Sequence, residues 1–448
     1  MKPVCAKSAP GERTKNLTRI IDAGGIEQFY TGYKDQSPVM LLSYTLKETV
    51  VPEKLQRALE KAIERFPVFR VRLALNENRQ PVYEKNDLLP CIYENDGKTH
   101  TFGKASRGYL FRVSYHSRRI SLSIHHMLTD FFGANEFLKY ILRCYLHQLD
   151  ESIGTSKDTI AVDPTDFRDP YDLYGNADAV GYYMTDKWKN ELLIPNRMNY
   201  SSGVPQQIHS ISFSSSIILA AAKKTDTSVF PLLTWMMAKA IANAYDAEDK
   251  VVVGSGAANF RTFYDSRTPF CFSHSFPTVL LPGDRSMDLE TQMTVQRFRM
   301  DLRLGRETVD REVAKRRKAA KQMDGPIEKY VMNQKVLDQE RKAREKKSSF
   351  FISYTGKMDL PEEIAEYVDS YMLDSPTTRG PVKAASYSWR GRMYINLIEQ
   401  TCEKRILPEL VKILDQFDAA CTETDLGDKY YDYYPMEELI SVDSTSRL

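Results

Sequence analysis

Two adjacent histidines, His125 and His126, close an alternating run that begins at Ile120, and Asp130 follows four residues after the second. Histidine changes charge nearest neutral pH. A neutral, partly desolvated imidazole at a strand end can therefore take a proton from a hydroxyl or an amine. Only seven histidines occur in 448 residues, so an adjacent pair is a specific feature. By strand parity His126 shares a face with Ile120, Leu122 and Ile124, and His125 with Ser121 and Ser123, which predicts that His126 looks toward the apolar side. Plainer readings compete. His126 can be a packed core histidine, and His125 a surface-facing polar residue. His126 and Asp130 can be metal ligands, although four-residue spacing suits a helix and no third ligand is apparent.

The elements that must hold this pair are legible on either side. Phe111, Val113 and Tyr115 alternate toward a turn at His116-Ser117-Arg118, after which Ile120, Leu122 and Ile124 resume the pattern, predicting a hairpin. A helix is expected over residues 134–147, with Phe137, Tyr140, Ile141, Cys144 and Tyr145 on one face. Upstream, Pro52 opens a helix carrying Leu55, Ala58, Leu59, Ala62, Ile63 and Phe66, which Pro67 ends. Residues 69–75 read as a strand. Residues 151–206 hold four of the prolines and no sustained periodicity, and read as a connection. The order then restarts. A strand over 207–213, a buried helix over 231–245 and the apolar run 250–254 come first. A basic helical stretch over 311–347, strands at 350–354, 384–389 and 392–397, and a helix over 408–417 follow. The expectation is a mixed α/β protein with a first lobe over 1–150, a connection over 151–206 and a second lobe over 207–448.

Composition narrows the function classes. Hydrophobic residues make up 42% and charged residues 27%, the balance of an ordinary globular chain. Lys and Arg number 62 against 60 Asp and Glu, so no global field draws the chain to nucleic acid or an anionic membrane. Six scattered cysteines, with no C-x-x-C spacing, fit neither a disulfide framework nor a zinc site and suit a reducing compartment. No leader-like apolar segment and no run of 18 apolar residues is present, and a cytoplasmic location is expected.

The arrangement His125-His126-x-x-x-Asp130 resembles the H-H-x-x-x-D-G motif of the chloramphenicol acetyltransferase-like acyltransferases, a superfamily that includes peptide-synthetase condensation domains and alcohol acetyltransferases. More of the chain agrees. "ERFPVFRVRL" at 64–73 is similar to the first helix and strand of these proteins. The segment over 228–261, ending "GSGAANFR", is similar to the stretch leading to their arginine, here Arg261. "FFISYTGKMDLPEE" at 350–363 resembles their serine-containing strand, which places Ser353. The resemblance spans about residues 25–420 and implies two αβ lobes with an active-site tunnel between them.

It also implies roles. The second histidine of the motif is the general base, so His126 would deprotonate the acceptor, with His125 beside it. Asp130 would pair with Arg261 and hold the histidine loop, and Ser353 would help to stabilise a tetrahedral oxyanion. The implied reaction moves an acyl group from a thioester, acyl-coenzyme A or a carrier-protein thioester, to a hydroxyl or amine. Coenzyme A enters as co-substrate, with no tightly bound cofactor and no metal. Partners would be small molecules and, in the condensation-type alternative, an acyl carrier protein; a monomer is sufficient. A non-catalytic small-molecule-binding relative is the third reading. Two departures bear on it. Phe131 and Phe132 stand where the motif has glycine, delaying it to Gly133, and Tyr354 follows Ser353 where asparagine is usual.

Overall fold

Why the chain turns where it does is plainest at residues 50–75. Val51 caps the helix Pro52–Arg65 with Pro52 in its first turn, and Leu55, Ala58, Leu59, Ala62 and Ile63 are buried. Pro67 cannot continue the helix, and Pro67–Phe69 instead forms one 3-10 turn. That turn delays the following strand to Val71–Leu75, two residues later than residue periodicity predicts. The computed structural model describes residues 3–4, 18–32, 39–95, 106–155, 160–176, 188–195, 206–329, 348–374, 381–429 and 439–440.

Three sheets carry the architecture. The first has six strands in the order Pro3–Val4, Ile92–Glu94, Phe111–His116, Arg119–His125, Val39–Leu46, Val368–Asp374. The predicted hairpin is at its centre, with Phe111 opposite Ile124 and His116 opposite Arg119. Ser117 adopts the left-handed conformation (φ 51°) that so short a turn requires. The second sheet has seven strands, ordered Ser273–Leu280, Val252–Asn259, Phe350–Lys357, Val382–Trp389, Arg392–Glu399, Gln206–Ser214, Thr422–Lys429. A small sheet joins Thr18–Ile20, Pro81–Lys85 and Val71–Leu75. Helices cover the sheets, so the fold is mixed α/β as expected.

The helix Phe131–His147 packs its apolar face beside Pro52–Arg65. Phe137 on it meets Phe66, Phe69 and Phe111, each at a ring separation of 5.2 Å. It begins at Phe131, three residues earlier than the periodicity suggests, because the Asp130 side chain accepts from the Phe132 and Gly133 amides and so supplies the N-cap. In the second half, helices Val229–Ala244 and Ile406–Asp415 pack together over the seven-stranded sheet. The basic stretch is helical over Arg306–Gln322, and residues 330–347 lie outside the described ones.

One connection departs from a simple division by sequence. The strand Val368–Asp374, late in the second half, pairs antiparallel with Val39–Leu46 and completes the first sheet, with Tyr371 opposite Tyr44 and Leu373 opposite Leu42. The cysteines also differ from expectation. Cys144, Cys271, Cys402 and Cys421 are free, but Cys91 is held in a disulfide, which weakens the argument for a reducing compartment. Among the described residues no helix is long and apolar enough to cross a membrane.

Candidate active site

The strand Arg119–His125 ends on the first histidine. The His125 amide donates to the Leu110 carbonyl at 2.8 Å, the last bond on that side, and its Nδ1 then accepts from the Met127 amide at 2.9 Å. This side chain–backbone bond turns the chain sharply out of the ladder. Burial, and next the neighbouring His126, push the His125 imidazole down to about 3, so it is neutral, with its proton on Nε2. His125 is fully buried and does not line the cavity described below. His126 lies past the strand, in the turn, and strand parity does not govern it. It does not share the face of Ile124 as the sequence periodicity suggests. It looks into a cavity.

The loop after His126 is fixed from several sides. The Tyr83 hydroxyl donates to the Met127 carbonyl at 2.9 Å, and Thr129 Oγ1 donates to the Pro269 carbonyl at 2.6 Å. Gly25, at the start of the helix Ala23–Gly32, fits against it, and Gly24 beside it fits against Cys271. A Cβ on Gly25 would lie 2.5 Å from the Met127 oxygen, and one on Gly24 would lie 2.3 Å from the Cys271 oxygen. Only glycine permits so close an approach.

Asp130 and Arg261 meet in a buried two-point ion pair. Arg261 Nη1 donates to Oδ2 at 2.7 Å and Nη2 to Oδ1 at 3.0 Å, with the Arg261 and Asp130 side chains 4% and 6% exposed. The Phe272 amide also donates to Oδ2, at 3.0 Å. The guanidinium is satisfied elsewhere by the carbonyls of Thr268 (2.9 Å) and Phe270 (2.6 Å) and by Asn259 Oδ1 (3.1 Å). A guanidinium matches a carboxylate with two parallel bonds, so the pair locks the histidine loop to the second half in one orientation.

The cavity that His126 faces has a volume of 240 Å³ and takes its walls from both halves. Met40, His126, Asp130, Phe131 and Phe132 come from the first; Ala257, Ser273, Phe351, Ser353, Tyr354, Leu373 and Lys383 are among those from the second. His126, Asp130 and Ser353 are thus brought to one cavity, with Arg261 behind Asp130. Burial holds the His126 imidazole below the usual histidine range. A hydrogen bond to its own backbone and the Asp130 charge oppose this, and the Lys383 and Arg316 charges add to it. Its Nδ1 is 3.8 Å from the Cys271 sulfur. Burial pushes that thiol up to about 12, so Cys271 is no thiolate nucleophile.

The glycine displacement has a physical account. Phe131 and Phe132 line the cavity, and Phe132 lies under the Arg261 guanidinium, 5.1 Å from ring centroid to Cζ. The tight spot falls at Gly133, where a Cβ would be 2.2 Å from Thr129 Oγ1 and 2.4 Å from the Pro269 oxygen.

Sequence reasoning missed Lys383. It stands on Val382–Trp389 opposite Phe351, and its ammonium is 5.7 Å from the centre of the Phe351 ring. Burial lowers it to about 8, against the opposing field of Asp374. His274 belongs elsewhere. It lines a second cavity, of 370 Å³, with Trp188, Phe276, Arg303, Arg311 and Lys315. Its Nδ1 accepts from Arg316 Nη2 at 2.8 Å, and its Nε2 lies 3.5 Å from Glu312.

Comparison with known proteins gives a fold. No protein-family profile and no curated sequence matches the chain. Solved structures do. The trichothecene 15-O-acetyltransferase of Fusarium sporotrichioides aligns over 92% of this chain and 96% of its own at TM-score 0.57 and 11% identity. An F. graminearum protein solved with coenzyme A and T-2 mycotoxin aligns over 92% and 100% at 0.59 and 12%. The starter condensation domain of rhizomide synthetase aligns over 90% and 95% at 0.56 and 14%. The chain therefore has the two-lobed chloramphenicol acetyltransferase-like fold.

Proposed function

We propose that the chain is an acyltransferase that moves an acyl group from a thioester, acyl-coenzyme A in the first instance, to a hydroxyl or amine acceptor. The observation that carries this reading is His126, its proton affinity lowered by burial, lining with Ser353 a cavity walled by both halves. With Nδ1 turned toward Cys271 and the ring bonded to its own backbone, Nε2 is the nitrogen left to act as base. His126 takes the acceptor proton as the acceptor oxygen or nitrogen attacks the thioester carbonyl. The resulting oxyanion is stabilised by the Ser353 hydroxyl. The carbon–sulfur bond then breaks, and the thiolate leaves with the proton that His126 returns. No covalent enzyme intermediate is required. Asp130 and Arg261 act indirectly, by fixing the loop.

The test is thiol release from acyl-coenzyme A of several chain lengths, with a metabolite extract as acceptor source. His126→Ala should lower turnover by about 10²–10⁴-fold with circular dichroism unchanged, the range of a general base. Wild-type turnover in that variant removes His126 from the role. The likeness to a condensation domain supports a second reading, in which the donor thioester is on a carrier protein. Release from a loaded carrier but not from free acyl-coenzyme A selects it. No release from either points to a binding protein whose cavity Phe131 and Phe132 have reshaped.

A further inference from the structure

A general base needs its ring held, and Asp130 is committed elsewhere. Its Oδ1 accepts from Arg261 Nη2 and the Phe132 amide, and its Oδ2 from Arg261 Nη1 and the Phe272 amide. Among the described residues, Cys271 is the one side chain within hydrogen-bond distance of the His126 ring, its Sγ 3.8 Å from Nδ1. The same sulfur lies 3.8 Å from Ser273 Oγ, and Ser273 lines the cavity with His126. Cys271 is itself buried and is not a wall of that cavity. The backbone around it fixes its place. The Pro269 carbonyl accepts from Thr129 Oγ1, the Phe270 carbonyl accepts from Arg261 Nη2, and the Phe272 amide donates to Asp130 Oδ2. Gly24 packs against it as well, where a Cβ would stand 3.1 Å from the Cys271 Cβ. The ion pair and the histidine loop thus set this cysteine beside the base.

Of the two ring nitrogens only Nδ1 can fold back to the residue's own carbonyl, so the bond that His126 makes to its own backbone puts the ring proton there. Which nitrogen of a histidine is free is set by what the other one binds. Burial keeps the Cys271 thiol protonated at neutral pH. The sulfur therefore receives the Nδ1 proton as a weak acceptor, and the thiol proton turns to Ser273. Resting on the acyl-transfer reading, we propose that Cys271 is the positioning residue of His126: its sulfur holds Nδ1 and leaves Nε2, unprotonated, to the reactants. The brace is uncharged. A carboxylate in its place would stabilise the imidazolium and strengthen the base. A thiol fixes direction and tautomer alone, and His126 keeps the lowered proton affinity that burial gives it.

The experiment reads tautomer and rate together in wild type, Cys271→Ala and Cys271→Ser. Long-range proton–nitrogen spectra of protein carrying heavy-nitrogen histidine show which ring nitrogen bears the proton, and His126→Ala identifies the signal. Wild type should show His126 protonated on Nδ1, and Cys271→Ala a mixture of the two tautomers. In thiol release from acyl-coenzyme A, Cys271→Ala should lower kcat by about 10- to 100-fold, the loss that a misaligned catalytic group brings. KM should be unchanged, because Cys271 does not line the cavity. Cys271→Ser, which keeps a donor and an acceptor, should recover most of both readouts. A His126 signal or a kcat that is the same in wild type and Cys271→Ala overturns the proposal. So does a serine variant no better than alanine, which assigns the loss to packing. If wild type releases no thiol from any donor, the acyl-transfer reading falls, and the spectra of the same three proteins alone decide whether Cys271 holds the ring.

Discussion

At the scale of single residues, the Asp130–Arg261 pair ties the site together and is the part most open to measurement. Removing one partner leaves the other charge buried, so Asp130→Ala and Arg261→Met should each cost about 3–5 kcal/mol in urea unfolding. The double variant should lose much less than the sum, because both singles break the same contact. Additive losses show that the pair is not coupled. The pair is legible in the sequence only through the likeness of its flanking motifs, since 131 positions of chain separate the two residues. His126 is identifiable from its type and neighbour, but its direction is not. Strand parity holds only while the ladder continues, and the His125–Met127 bond ends it one residue too soon. Lys383 gives no signal at all. A lysine at the start of a strand reads as a solvated end, and only the fold places that end in the cavity.

At the scale of elements, the helix Ala23–Gly32 meets the histidine loop through Gly25 and Cys271 through Gly24. Asp22 caps it by accepting from the Gly25 amide at 2.8 Å, and its other oxygen has no hydrogen-bond partner among the described residues. Burial, and then Asp169, push the Asp22 carboxyl up to about 7. The folded state therefore holds a proton that the unfolded state releases near pH 4. The stabilisation this gives is full below about pH 4 and is lost as the pH rises through about 7. Asp22→Asn keeps an acceptor for Gly25 and removes the titration. Its stability should fall less than that of wild type between pH 5 and 8, a difference on the order of a few kcal/mol in urea midpoints converted to free energy. Equal slopes remove Asp22 as the cause. Element boundaries elsewhere are well legible where proline or strict alternation sets them, as at Pro52, Pro67 and the hairpin about Ser117. Missed starts, such as Phe131, come from capping bonds that periodicity does not register.

At the scale of the whole molecule, the buried ion pair and the strand Val368–Asp374 in the first sheet both tie the two halves together. Trp389, on a strand of the second sheet, packs with Tyr44 and Tyr371 in the core of the first half, while Trp235 lies in the core of the second. Fluorescence and far-ultraviolet circular dichroism should therefore report one coincident unfolding transition. Two resolved transitions show that the halves unfold independently. The mixed α/β class is legible in the chain; the crossing strand is not, because its burial does not alternate and its partner Val39–Leu46 lies far away in sequence. That strand also bears on how the protein is made. Val39–Leu46, an apolar edge, waits for a partner that leaves the ribosome only when synthesis reaches residue 374. At about 5–20 residues per second this leaves the edge open for roughly a quarter of a minute or longer, a template for pairing with other nascent chains. Expression of this protein is thus expected to depend on chaperones that shield nascent strands, and a gene cut at the midpoint to yield an insoluble first fragment.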